Sequence, residues 1–189
     1  MRGCVTVDWV TLLSTLVGGA AALLGSVLAH TLRSRDERRR VNSADRRQSY
    51  IDYLVALDAA QARLRRLAEP DYRPDDLPAQ ARRVFGEAGI FEGREKLLIA
   101  GNPTVVAPAE QALRLLGELR DAVRDGVKLS TVPYHDAYHP YADALWRLRS
   151  SIRVDLGGKA LTVDDLERTS WDDRASCDFC QASAVAVPA

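Results

Sequence analysis

From Trp9 through Leu32 the chain carries no Asp, Glu, Lys or Arg. No other feature limits the architecture as strongly. A helix rises ~1.5 Å per residue, so about 20 apolar residues cross a hydrocarbon core ~30 Å thick. The run is long enough, and residues 9–32 are predicted to form one transmembrane helix. Trp9 stands at its outer end, where an amphipathic ring suits the headgroup level. Only Arg2, opposed by Asp8, precedes the run, whereas Arg33, Arg35, Arg38, Arg39 and Arg40 follow it, with Arg46 and Arg47 slightly further on. Positive charge stays on the cytoplasmic side. The expected topology is therefore a plasma-membrane protein with its N-terminus outside and everything after Leu32 in the cytoplasm. A cleaved signal peptide fits less well, because its positive region precedes the apolar block and its core is shorter.

The span carries small residues at i, i+4 spacing: Ser14, Gly18, Ala22 and Ser26. Such a stripe lets two helices approach closely and pack in lipid, so it is a candidate surface for a homo-oligomer. Gly and Ala are also simply common in Ala-rich spans. The following arginines are read as topology charges rather than a lipid-headgroup site, because Asp36 and Glu37 dilute them.

Composition removes several function classes. The chain has 26 basic and 26 acidic residues, so its net charge gives no reason to expect nucleic acid as a partner. Three cysteines are too few and too badly spaced for a disulfide scaffold.

Beyond the span the pattern is helical. Tyr50, Leu54, Leu57, Leu64 and Leu67 build one apolar stripe at 3–4 spacing, ended near Pro70 and Pro74. A second helix is predicted from about Pro78 to Ile99, with Leu77, Ala81, Val84, Ala88, Phe91 and Leu98 on one heptad face and a break near Gly89. A third starts at Asn102-Pro103 or at Pro108, carries Ala109, Leu113, Leu116 and Val123, and stops at Asp125-Gly126. The fourth holds Tyr134, Tyr138, Tyr141, Leu145, Leu148 and Ile152 at 4-3-4-3-4 spacing and ends at Gly157-Gly158. Pro140 argues for a start at His139 or Pro140, or for a kink. No stretch alternates with period two over a strand's length. The expected fold is all-α: one N-terminal transmembrane helix followed by a cytoplasmic antiparallel bundle of about four helices. The chain is divided into an extracytoplasmic N-terminus (1–8), the span (9–32), a basic juxtamembrane stalk (33–48), the bundle (49–157) and an acidic, partly disordered tail (158–189). Within that tail Thr162 and Asp165 have the spacing of a capping box.

Chemistry is sparse. The chain has no P-loop, dinucleotide fingerprint, nucleophile elbow or His-Glu-x-x-His motif, so no enzyme and no cofactor are expected. The single metal-like constellation is Cys177-Asp-Phe-Cys180 with His135 and His139, which together would complete a tetrahedral zinc site. Against it stand Pro140, the distance in sequence between the two halves, and the poor patterning of the tail. The plainer reading is two reduced thiols and two hydrogen-bonding surface histidines. A reversible disulfide is the redox version of the same motif, although the strand-to-helix context of a thioredoxin-like site is missing. Trp146, Arg147, Arg149 and Arg153 are residue types that anchor interfaces, set against a plain packed edge with solvated arginines.

The Trp9-started span, the basic exit from Arg33 to Arg40, the helix from Tyr50 to Leu57 and the stretch from Leu148 to Gly157 share a pattern. It resembles a loose group of short membrane-anchored proteins of high-GC Gram-positive bacteria, and the Arg-heavy, Lys-poor basic set fits such a genome. The resemblance implies an anchored helical architecture and brings no activity with it. The expected role is accordingly a membrane-tethered helical module that binds a protein partner or itself, with a zinc-binding or thiol-redox module as the alternative.

Overall fold

Residues 41–185 are described by a computed structural model. The predicted span, its stripe of Ser14, Gly18, Ala22 and Ser26, and the topology charges Arg33, Arg35, Arg38, Arg39 and Arg40 all lie outside the described residues. Among the described residues no helix is long and apolar enough to cross a membrane, and there is no strand. The residues from Asp45 onward make up one unit. In it α1 covers residues 45–67; residues 41–44 are also helical. Then follow α2 (Leu77–Glu87), α3 (Ile90–Ala100), α4 (Pro103–Arg124), α5 (Val132–Asp155) and a short α6 (Asp178–Val185), with 3-10 turns at Asp164–Leu166 and Arg174–Ser176.

Cross-helix bonds give the topology. The Tyr53 hydroxyl donates to the Ala109 carbonyl and the Tyr50 hydroxyl accepts from the Asn102 N–H, so α1 and α4 run in the same direction. Tyr50 also donates to Asp155 at 2.8 Å, Arg149 bonds Asp58, and the Leu129 N–H reaches the Ala68 carbonyl. Thus α5 runs antiparallel to α1. Lys96 meets Asp52 and Arg94 clasps Glu110 in a bidentate pair, which brings α3 back along α1. The result is an up-down-up-down bundle whose second member is broken into α2 and α3.

Most of the stripe residues predicted for α1, α4 and α5 enter the core, joined by others such as Tyr53, Val105 and Leu119. Tyr50, Leu57, Leu64 and Leu67 of α1, Ala109, Leu116 and Val123 of α4, and Tyr134, Tyr141, Leu145, Leu148 and Ile152 of α5 are buried. Each large apolar side chain so buried stabilises the fold by roughly 1.5–3 kcal/mol before chain entropy is counted. The stop signals act as expected. Gly126 and Gly157 take φ +90° and +83°, and the N–H groups of Val127 and Gly158 bond back to the Ala122 and Arg153 carbonyls. Both are Schellman ends, which only Gly adopts without strain.

Two expectations need correction. The heptad face drawn through Phe91 and Leu98 does not enter the core: both are exposed, and Ile90, Gly93 and Leu97 are buried instead. Gly89 breaks the helix at φ +74° and resets its phase, so a register counted straight through it comes out one residue late. Gly93 then sits where a Cβ would lie 3.3 Å from the Tyr53 Cα, which allows α3 to pack tightly on α1. The second correction concerns proline. Pro140 neither starts nor stops α5; α4 does start at Pro103 behind the Asn102 cap, the first of its two expected starts, and holds Pro108 inside. Pro108 and Pro140 each remove one backbone hydrogen bond from a long helix. The cost is met by the packing of that helix on its neighbours.

Candidate metal centre

Because α5 starts at Val132, with Thr131 before it and Pro133 at its first turn, His135 and His139 lie one helical turn apart on the same face. Both are buried, at 8% and 3% exposure, and are not the surface residues of the plainer reading. Their ring centroids are 5.7 Å apart. The second half arrives from the tail. Cys177 precedes α6 and Cys180 lies in its first turn, and both thiols are half-buried and reduced. Cys177 Sγ lies 3.4 Å from His135 Nδ1, and Cys180 Sγ lies 3.4 Å from His139 Nε2. All four atoms fall within 4.8 Å of one another.

These distances have a chemical meaning. With Zn–S ≈ 2.3 Å and Zn–N ≈ 2.0–2.1 Å, a tetrahedral ion separates its sulfur and nitrogen ligands by about 3.5 Å. The two S···N edges have that length. Without metal, the same contacts are S–H···N hydrogen bonds.

The outward ring nitrogens decide what the inward ones can do. His135 Nε2 lies 2.9 Å from the Leu129 carbonyl and His139 Nδ1 lies 2.5 Å from the Asp172 carbonyl. A carbonyl only accepts, so each of these nitrogens carries the proton. In the neutral rings the opposite nitrogens, Nδ1 of His135 and Nε2 of His139, then turn bare lone pairs toward the sulfurs. An outer partner that fixes the tautomer in this way is the usual support of a metal-bound histidine. Burial, the largest influence on His135, lowers its pKa and favours the neutral ring that a metal requires.

Further side chains frame the site. Phe179, between the two cysteines, stacks on His135 with centroids 4.7 Å apart. Arg174 bonds Asp136 of α5 and the sulfur of Cys180. Burial raises the Cys180 thiol pKa, and Arg174 works against that rise. Beside Cys180 opens a cleft of about 670 Å³ lined also by Asp172, Arg174 and Ala175 among others. None of these framing residues is singled out by spacing. Phe179 is the one with a signal, as an aromatic inside the Cys-x-x-Cys.

The tail is thus more ordered than its patterning suggests. Thr162 and Asp165 form a reciprocal capping box, with bonds of 2.8 and 3.2 Å, and start a 3-10 turn. Trp171 stacks on Trp146 at 5.3 Å, and Arg149 and Arg168 lie over the Trp146 ring. Trp146 is therefore covered by the chain's own tail. Arg147 and Arg149 pair with Asp143 and Asp58, and Arg153 donates to the Lys159 carbonyl.

Against this geometry the comparisons with known proteins are silent: no family model, no curated protein and no solved structure matches the chain.

Proposed function

We propose that this chain is a membrane-tethered helical module carrying a Cys2His2 zinc centre formed by His135, His139, Cys177 and Cys180. The observation that carries the reading is the pair of carbonyl-fixed histidines whose bare nitrogens face the two sulfurs at 3.4 Å. Mixed N/S donors suit zinc and disfavour magnesium or calcium, which take oxygen. Four protein ligands close the coordination sphere, as in structural sites, and leave no open position for catalysis. The span at residues 9–32 supplies the tether, with the bundle in the reducing cytoplasm, where thiols are kept available for metal.

The test is the metal content of protein purified from cells without added zinc. One zinc per chain is expected, falling to near zero in Cys180→Ser and in His139→Ala. Wild-type protein that is correctly folded yet holds no zinc after reconstitution refutes the reading.

A second reading, the protein-interaction module, draws on the outward apolar residues Val55, Phe91 and Ile99, which are 62%, 60% and 85% exposed, and on the small-residue stripe of the span. A stoichiometric partner or a self-associated form recovered in the same purification would favour it. The two readings are compatible.

A further inference from the structure

The four ligands are not equally placed. The histidines are buried on a core helix, whereas the cysteines are half-buried on a segment that contributes nothing to the core: from Arg153 to Ala182 no residue is buried. That segment meets α5 through polar contacts, namely the Leu161 N–H on Ser150, the Asp172 carbonyl on His139 and Arg174 on Asp136, and through the Trp146–Trp171 and His135–Phe179 stacks. A metal bridging the two halves would therefore act as the clamp of the tail, because free energy of metal binding becomes free energy of ordering. The cleft beside Cys180 admits small solutes to the sulfur side of the clamp. The two sulfurs lie within 4.8 Å of each other, and only two residues separate their cysteines.

We propose that Cys177 and Cys180 are a peroxide-oxidisable pair whose disulfide expels the metal and frees the tail from α5. This rests on the zinc reading. In the reaction one thiolate attacks hydrogen peroxide, the O–O bond breaks, and a sulfenic acid and hydroxide form. The second thiolate attacks that sulfur, forming the S–S bond and releasing a second hydroxide. Two electrons pass from the sulfurs to peroxide, two protons convert the hydroxides to water, and the zinc ion, left with two neutral imidazoles, departs to solvent. A disulfide sulfur is a poor ligand, because the thiolate is the form that binds metal. His135 keeps its Leu129 bond and its place in the bundle, while the partner of His139, Asp172, leaves with the tail.

The experiment uses the full chain in detergent as the Cys4→Ser variant, which removes the only other thiol. Zinc is quantified first in the reduced protein. Hydrogen peroxide is then added, with a chromogenic chelator reporting free zinc, mass spectrometry reporting the Cys177–Cys180 bond, and hydrogen exchange reporting residues 159–182. The expected result is one zinc freed per disulfide and tail exchange faster by about tenfold or more, with α1 to α5 unchanged and both effects reversed by dithiothreitol plus zinc. Zinc retained after the disulfide has formed, a tail still protected after zinc has left, or sulfurs that resist peroxide at levels that oxidise free glutathione would each overturn the proposal while leaving the zinc site standing. A folded reduced protein without zinc overturns both.

Discussion

The bundle and its tail are both ordered, but for opposite reasons. In the bundle, order is distributed: Leu57, Leu64, Leu97, Leu116, Leu119 and Leu148 are all fully buried, and no single contact decides the fold. In the tail, order rests on few contacts: the two Cys–His pairs, the Trp146–Trp171 and His135–Phe179 stacks, Arg168 over Trp146 and a few hydrogen bonds. Burial at roughly 25 cal/mol per Å² accumulates over many side chains and degrades gradually. The proposed metal clamp would instead be lost in a single step. One chain would thus hold two kinds of stability, and a perturbation chosen for one should leave the other nearly untouched.

The largest separation should come from chelation. Stripping zinc from the reduced protein is expected to remove essentially all exchange protection from residues 159–182. The denaturant midpoint of the bundle, followed by circular dichroism, should move by less than about 1 kcal/mol, because no core residue is lost. Joint melting of tail and bundle would show that the two are one cooperative unit. The converse perturbation is Leu116→Ala. It opens a cavity in the fully buried core and should cost about 2–5 kcal/mol in bundle stability, with one zinc per chain still bound under native conditions.

Alkali probes the bundle in a third way. Burial pushes the Tyr134 hydroxyl up to about 12 and drives Tyr53 and Tyr141 in the same direction. The unfolded chain loses these protons near pH 10, where the folded chain still holds them. The folded state then binds more protons, so its stability is complete below pH 10 and declines as pH rises beyond it. Absorbance at 295 nm should show these tyrosines ionising only together with loss of helix. Their free, reversible titration near pH 10 in an intact bundle would contradict the burial. The smallest effect is expected for Trp171→Ala, which removes the stack on Trp146 at roughly 0.5–1.5 kcal/mol. Tail exchange should quicken severalfold while zinc content and bundle midpoint stay put.

The same division explains what could be read in advance. The bundle was legible because its order comes from periodicity. The stripe from Tyr134 to Ile152 and the Schellman glycines 126 and 157 act as their spacing says. The α2–α3 break at Gly89 was also visible, but the helical phase after it was not, since a residue at φ +74° rotates everything that follows by an amount no pattern records. Pro140 misled for a related reason: a local rule about one lost hydrogen bond was outweighed by the packing of a long helix. The four side chains that cluster could be picked out by residue type, whereas their assembly was illegible. Nothing in the tail's pattern says that Cys177 returns to His135 across 42 residues. The Leu129 and Asp172 carbonyls that orient the imidazoles are backbone groups, to which side-chain spacing is blind.

Those two carbonyls also fix a proton inventory. Each imidazole already holds its single proton on the outward side, so neither ring must lose one to receive an ion. The protons that metal uptake would displace are those of the thiols, one from each cysteine. The site would then exchange one divalent cation for two protons and leave the charge of the ligand cage plus its contents unchanged. The direction of two backbone C=O groups would thus set which protons a metal displaces.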